Sequence, residues 1–462
     1  MEGDDHGLFA FQRRVVDWAL ATERCAALLD PGMGKTLIFL SWCDRLLALN
    51  PRGVILVLAP LATGSQIVAQ AAAMRLQNCV VQTRAMPPRP TDLDAFGGRG
   101  LVAVANHEKA ARFSGAMAGY VGVVVDESSE LRSASLQTAL RGSRGVRFRL
   151  CLSATPAPGG DFSELAAHAA FLGRGTLEEL SARFFKSSSR LALREGAESA
   201  FAEWMLSWSA WARSPAELGF PQDADRFRLP PVELRALPAP SRNLHDRVAA
   251  VARHVTGPCV VWCSRNAESV ALAAALGEGA AELTGAVSLE QKELLLERFK
   301  AGAIRVLVTK HSLTGHGLNW AHVSQHVFFS LPSSPALFFQ MLSRSLRYGQ
   351  TAARVEATVV GEDDRAAAEA LVQGERVHAL HSIVRERMAL RWADGATLER
   401  LLAPSDRFQR HETDKATLVQ WEGAAAITRF VAPGGAALVA FAMPPGLEAC
   451  CLFIWCLFIY LL

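Results

Sequence analysis

Runs of consecutive apolar residues alternate with polar, helix-compatible stretches over the first third of the chain. Between Arg24 and about Thr155 they predict strands at Cys25–Leu29, Val54–Leu58, Leu101–Val104, Val121–Val125 and Arg149–Ser153. These runs are rich in Val, Leu and Ile with little alternation, the pattern of strands covered on both faces of a parallel sheet. The stretches between them fit crossover helices in right-handed βαβ units. Residues 160–230 break the rhythm. Trp204, Trp208 and Trp211 recur at i, i+4 and i+7, which predicts one helix face packed in a core. Leu229-Pro230-Pro231, Pro238 and Pro240 then read as a linker. A second alternating block follows, with strands expected at Cys259–Cys263, Arg305–Thr309, His326–Phe329 and Val355–Val360. Ser288 and Gln291 form a capping-box signal ahead of a helix carrying Leu294, Leu295, Leu296 and Phe299. The expected division is a first α/β lobe over 1–158, a helical insertion and Pro-rich linker over 159–240, a second lobe over 241–375, and a helical extension with an apolar tail over 376–462. The sequence carries no internal repeat, so the lobes would be alike in architecture only.

The 462 residues are half apolar and one-fifth charged, which supports large cores in two or three domains. The net charge is only +3, so any nucleic-acid surface must be a local patch. Nine cysteines include no Cys-x-x-Cys pair and mostly lie in apolar runs, and the acidic N-terminus has no secretory leader, so a reducing cytoplasm is expected. His311, His316, His322 and His326 crowd one region without a ligand spacing and are read as structural. The apolar tail Ala449–Leu462 has fourteen residues, short of the ~20 needed to span a bilayer, and Pro444-Pro445 blocks its helical extension upstream. A membrane anchor is therefore not the expectation.

Three segments of the first lobe carry candidate chemistry. Asp30-Pro31-Gly32-Met33-Gly34-Lys35-Thr36 follows a strand and opens a helix, which puts backbone N–H groups and a helix N-terminus around phosphate oxygens. Lys35 would neutralise the β and γ phosphates and Thr36 would hold Mg²⁺. Val123-Val124-Val125 delivers Asp126 and Glu127 to the carboxyl end of its strand, where α/β ligand sites lie. Asp126 suits Mg²⁺, and Glu127 suits orienting or deprotonating an attacking water. Alone, such a pair is also what caps a following helix. Leu152-Ser153-Ala154-Thr155-Pro156 offers two hydroxyls after a strand, with a simple turn before proline as the plainer alternative.

In this order the three segments resemble the motifs of superfamily-two DEAD/DEAH-box-like helicases. Phe11-Gln12, followed by Val15, Val16 and Trp18, is similar to the adenine-reading glutamine motif of that family. Ala59-Pro60-Leu61 resembles the motif that meets the nucleic-acid strand. In the second lobe, Thr314-Gly315-His316-Gly317-Leu318-Asn319-Trp320 resembles the Swi/Snf-like branch. So does Gln340-x-x-x-Arg344-x-x-Arg347-Tyr348-Gly349-Gln350. Leu218-Gly219-Phe220 with Leu229-Pro230-Pro231, and Val260-Val261-Trp262-Cys263 with Asn266 and Glu268, resemble the compact phage and prophage versions. The resemblance covers roughly residues 8–375. It implies two tandem RecA-like P-loop lobes, each a mostly parallel sheet flanked by helices, with a helical insertion before the linker. ATP and Mg²⁺ would be its cofactors. It assigns nucleotide binding to Gln12, Pro31, Gly32, Met33, Gly34, Lys35, Thr36, Gly317 and Gln340, coupling to Ser153 and Thr155, and arginine-finger roles to Arg344 and Arg347. A cation is needed there because charge spreads over the transferring phosphoryl oxygens; a basic helix face is the plainer alternative. Three departures stand out. Leu29 occupies the position of the first P-loop glycine, a looser form that helicases also use; the second motif ends in Ser128-Ser129 where relatives carry Asp/Glu-x-x-His; and the block after Pro60 lacks the tryptophan many relatives carry.

The implied function is a nucleic-acid-stimulated ATPase that moves on DNA, duplex in the first instance, with RNA as an alternative. A strand-separating helicase and a nucleotide-switched scaffold with little turnover remain open. Glu127 and the two arginines weigh against the scaffold, because hydrolysis needs them and binding does not.

Overall fold

The computed structural model describes residues 7–158, 162–186, 193–310, 318–332 and 335–361, together with Trp392 and four strands between 409 and 440. The chain divides into two compact units, Met1–Leu401 and Leu402–Leu462. Two parallel sheets build the first unit. The first lobe holds β1 (Arg24–Leu29), β2 (Val54–Ala59), β3 (Cys79–Thr83), β4 (Gly100–Asn106), β5 (Gly122–Asp126), β6 (Phe148–Ser153) and β7 (Ser209–Ala212), in the order β3-β4-β2-β5-β6-β1-β7. The second lobe holds β8 (Val232–Leu237), β9 (Cys259–Cys263), β10 (Ala280–Leu283), β11 (Val306–Lys310), β12 (Gln325–Phe328) and β13 (Val355–Val360), in the order β10-β11-β9-β12-β13-β8. Every ladder in both sheets is parallel. This is the paired-lobe α/β fold expected from the apolar runs.

The central strands are the ones the hydrophobic pattern predicts, and they are buried end to end: β2 and β5 in the first lobe, β9 in the second. Helices cover both faces. In the second lobe Trp262, Trp320, Phe328, Phe338 and Met341 fill one side of the sheet, while Val261, Cys263, Val308 and Phe329 pack on the other with Val251. The capping box forms as its residues require. Ser288 Oγ accepts the Gln291 N–H and Gln291 Oε1 accepts the Ser288 N–H, both at 3.2 Å, and the helix Leu289–Lys300 follows.

Four strands escape the pattern. β3, β10 and β8 are edge strands with half-exposed residues, so they lack the continuous apolar run of a central strand. β8 lies inside the proline-rich stretch, where Val232–Leu237 pairs with β13 from Val355↔Val232 onward. The fourth, β7, corrects the tryptophan helix. The helix Glu198–Leu206 carries Trp204 but stops at Leu206; Trp208 lies in the turn that follows and Trp211 in the strand Ser209–Ala212. The edge of β1 decides this. Its backbone groups would be buried and unpaired without a neighbour, and a buried unpaired N–H is costly. The Ala26 N–H donates to Trp208 O at 2.9 Å and the Asp30 N–H to Ala212 O at 3.1 Å. Trp208 still packs edge-on against Trp204, with ring centroids 5.1 Å apart, so the rings meet across a turn instead of along a helix.

The second unit has strands where a helical extension was expected: β14 (Gln409–Thr413) pairs antiparallel with β15 (Ala416–Gln420), and β16 (Thr428–Val431) with β17 (Ala437–Ala440). The apolar tail lies outside the described residues. Among the described residues no helix is long and apolar enough to cross a membrane.

His326 gives the second core a pH limit. It is fully buried, Trp262 Nε1 donates to its Nδ1 at 3.0 Å, and Ser345 Oγ lies 2.7 Å from its Nε2. Burial pushes its pKa down to about 3. The unfolded chain therefore binds a proton near pH 6.5 that the folded chain refuses, so stability is lost as pH falls from about 6.5 toward 3. At pH 5 the loss from this group alone is about 2 kcal/mol. Denaturant unfolding at pH 7.5 and pH 5 should show a drop smaller by about that amount in His326→Gln than in the wild type.

Candidate active site

Three neighbouring strands of the first sheet, β5, β6 and β1, end side by side, and their carboxyl ends carry the three sequence segments singled out above. After β1 the chain turns through Asp30–Gly34 and enters α2 (Lys35–Ala48). Gly32 and Gly34 have φ of 86° and 80°, left-handed values that suit glycine. Space is as restrictive as conformation. A Cβ on Gly34 would sit 2.2 Å from Gln12 Nε2, and one on Gly32 would sit 2.8 Å from the backbone nitrogen of Tyr348 in the second lobe. Lys35 Nζ donates to Leu29 O at 2.7 Å and to Asp30 O at 3.4 Å. Burial lowers its pKa, with the carboxylates of Glu127, Asp126 and Asp30 opposing that shift.

Asp126 ends β5, and burial raises its pKa well above the ordinary carboxylate range, helped by the neighbouring Glu127 and opposed by Lys35. Glu127 has φ 49° and ψ 54°, a left-handed conformation that costs a non-glycine residue about 1–3 kcal/mol. Its Oε2 is buried with no hydrogen-bond partner. Ser153 ends β6, and its Oγ accepts the Thr155 N–H at 3.1 Å.

The second lobe closes the far wall through the helix Pro335–Leu342 and the segment after it. Gln340 Nε2 donates to Thr155 Oγ1 at 2.9 Å, a hydrogen bond between the lobes. Arg344 and Arg347 follow at one-turn spacing. Burial lowers the pKa of both, Arg344 to about 9, while Glu127 and Asp126 pull each back up. Arg347 Nε donates to Ser343 O at 2.8 Å, which fixes the approach of its guanidinium. The resulting cleft, about 320 Å³, is lined by Pro31, Gly32, Gly34, Lys35, Thr36, Asp126, Glu127 and Thr155 from one lobe and by Gln340, Arg344 and Arg347 from the other. Three cations face two carboxylates across a space the size of a small ligand site.

Residues 243–349 match the Helicase conserved C-terminal domain. Among solved structures, Dbp5 of S. cerevisiae bound to RNA and ADP BeF3 has a similar fold, with a TM-score of 0.51 at 12% identity over 85% of this chain and 93% of that one. A Dbp5 variant from the same organism in the same kind of complex aligns with a TM-score of 0.51 at 13% identity, over 85% and 93% of the two chains. No curated protein matches the sequence significantly. This is the architecture of a superfamily-two, nucleic-acid-dependent ATPase.

Within these helicase lobes, some expected site residues stand apart from the cleft. Gln12 is buried in α1 (Ala10–Thr22) beneath the P-loop: Nε2 donates to Met33 O at 3.1 Å and Oε1 accepts the Phe9 N–H at 3.0 Å. Neither Gln12 nor Met33 lines the cleft. In this arrangement Gln12 braces the Asp30–Gly34 turn from beneath. Gly317 lies outside the described residues. The cleft residues not singled out from the sequence include Thr63, Gln66 and Gln70, on and before α3 (Gly64–Met74). The signal was present, since Gln66 and Gln70 stand one helical turn apart, but it looks like any polar face of an amphipathic helix. Asn319 and Tyr348 also line the cleft, from within the motifs quoted above.

The Gln340–Thr155 bond supports a direct test. Thr155→Val and Gln340→Ala should each slow ATP turnover by roughly fivefold, the worth of one neutral hydrogen bond. The double variant should lose no more than the worse single, whereas independent roles would make the losses add in a kinetic double-mutant cycle.

Proposed function

We propose that the protein is an ATP-driven translocase on duplex DNA, of the Swi/Snf-like branch in its compact phage or prophage form. The observation that carries this reading is the meeting of Arg344, Arg347 and Gln340 with Lys35, Asp126, Glu127 and Thr155 in one cleft between two helicase lobes. Nucleotide phosphates would lie along the Pro31–Thr36 turn, against backbone N–H groups and the first turn of α2. Lys35 would swing from the Leu29 and Asp30 carbonyls to the phosphate oxygens. Glu127 would orient a water for in-line attack and take its proton, using the carboxylate oxygen that has no partner among the described residues. Arg344 and Arg347 would stabilise the charge that develops on the transferring phosphoryl group. Thr36 and Asp126 suit Mg²⁺. The Asp126 carboxylate, deprotonated, and the Thr36 hydroxyl are the oxygen donors this ion takes when phosphates supply the rest; bound there, it would neutralise phosphate charge. Hydrolysis would loosen the contacts that join the lobes, so nucleic acid gripped by both would be stepped along. The six buried thiols among the described residues fit a reducing cytoplasm.

A second reading, action on RNA, has one specific observation behind it: the Dbp5 structures of similar fold are bound to RNA. A nucleotide-switched scaffold is less favoured, because it has no use for the arginines or for a strained glutamate.

ATPase activity against duplex, single-stranded and forked DNA and against RNA separates these readings. Duplex DNA of any sequence should stimulate turnover most. Stimulation should weaken as salt rises, because log K falls by about 0.9 per phosphate neutralised, while basal turnover stays nearly constant. Stimulation by RNA alone would move the assignment to RNA, and no response to any nucleic acid at low salt would remove the motor. Glu127→Gln should retain ATP binding with hydrolysis cut to a residual rate readable by single turnover, and Arg347→Ala should cut turnover by roughly 10³-fold with little change in KM. Normal kcat in the latter would reduce Arg347 to a structural cation.

A further inference from the structure

The carboxylate of Glu127 is aimed mainly by its own backbone. Its Oε2 has no hydrogen-bond partner, and its left-handed conformation is one that a free turn would leave. What holds this turn is therefore a functional matter. The next residue, Ser128, is fully buried, and its Oγ lies 3.0 Å from Nε2 of His168, also fully buried, on the helix Leu165–Leu172. A second tie runs beside it. Arg132 Nε donates to Ser129 O at 3.1 Å, and its guanidinium lies 3.6 Å from the Glu164 carboxylate at the start of the same helix. Burial pushes the His168 pKa down to about 4, so the ring is neutral and the Ser128 contact is a hydrogen bond. His168 does not line the cleft.

We infer that His168 is a positioning residue for hydrolysis, holding the Glu127 turn through Ser128. The inference rests on the ATPase reading above and adds to it a residue of the insertion that no motif marks. A carboxylate that drifts by about 1 Å from its water can lose about 10²-fold in rate while ATP still binds. The imidazole and the hydroxyl would be needed for the aim of Glu127 and not for the grip on phosphates, which belongs to the turn after β1.

His168→Ala should lower kcat by about 10²-fold and leave the affinity for ATP, measured by calorimetry, unchanged. His168→Gln, whose amide reaches about as far as Nε2, should recover most of the loss. The deciding measurement uses Glu127→Gln as background, where the added His168→Ala change should cost nothing more, because the group it positions is already disabled. A structural role would instead lower ATP affinity and kcat together, or cost as much on both backgrounds, and either result overturns the inference. If His168→Ala does not fold, as judged by circular dichroism and thermal midpoint, Ser128→Ala removes the same hydrogen bond with less volume and must show the same pattern. A wild-type chain that neither binds nor hydrolyses ATP overturns the ATPase reading itself. Normal wild-type turnover with an unaffected His168→Ala overturns only this inference.

Discussion

Five charged groups packed between two sheets are the constraint on which the rest of the structure turns. Lys35, Arg344 and Arg347 are cations whose burial alone would be costly, and Asp126 and Glu127 are carboxylates in the same position. Neither lobe offers its own members enough opposite charge. The second lobe brings two guanidiniums and no carboxylate to the cleft, and the first brings two carboxylates and one ammonium. Apposition of the lobes is what compensates both sets, so the cleft and the two-lobe arrangement stabilise each other.

The turn after β1 is held from several directions. β7 anchors its start, where the Asp30 N–H meets Ala212 O. Gln12 holds its middle from below through Met33 O. The second lobe stands so close above Gly32 that one methyl group would collide with Tyr348. Each of these supports comes from a different part of the sequence, so the turn reports on the N-terminal helix, the insertion and the second lobe together. Tyr348 extends the connection. Its ring packs 5.7 Å from Phe9 and 4.8 Å from Phe227, and those two rings lie 5.0 Å apart. One aromatic cluster thus joins the segment before α1, the segment before β8, and the second lobe.

Glu127 combines a left-handed backbone with a carboxylate oxygen that has no partner among the described residues, whereas Lys35 beside it is hydrogen-bonded to the Leu29 and Asp30 carbonyls. This contrast is what the proposed roles require, with Glu127 acting on water and the turn only binding. A binding turn gains from being rigid before the ligand arrives, and a catalytic carboxylate must keep an oxygen available for its water. The polar ties that hold the strained turn come from the helix Leu165–Leu172, outside the quoted motifs.

The central strands were legible because a strand buried on both faces must be a continuous apolar run, and the tight turn after β1 because its two glycines stand between a strand and a helix. The capping box at Ser288 was legible because its two bonds are local. Edge strands were not: β3, β8 and β10 face solvent on part of their surface, and their pairing is decided by the neighbour and not by their own composition. The tryptophans at 204, 208 and 211 carried a helical spacing, but the open edge of β1 claimed the last of them for a strand. By itself the sequence determined the paired α/β lobes and marked the segments that meet at the cleft, since those depend on apolar runs and on side-chain type at short spacing. Only the tertiary structure decided that Gln12 supports the turn from beneath, that Gln340 reaches Thr155, and that His168 reaches Ser128. Those contacts join residues 21, 185 and 40 positions apart, and nothing local in a chain encodes a separation that only packing closes.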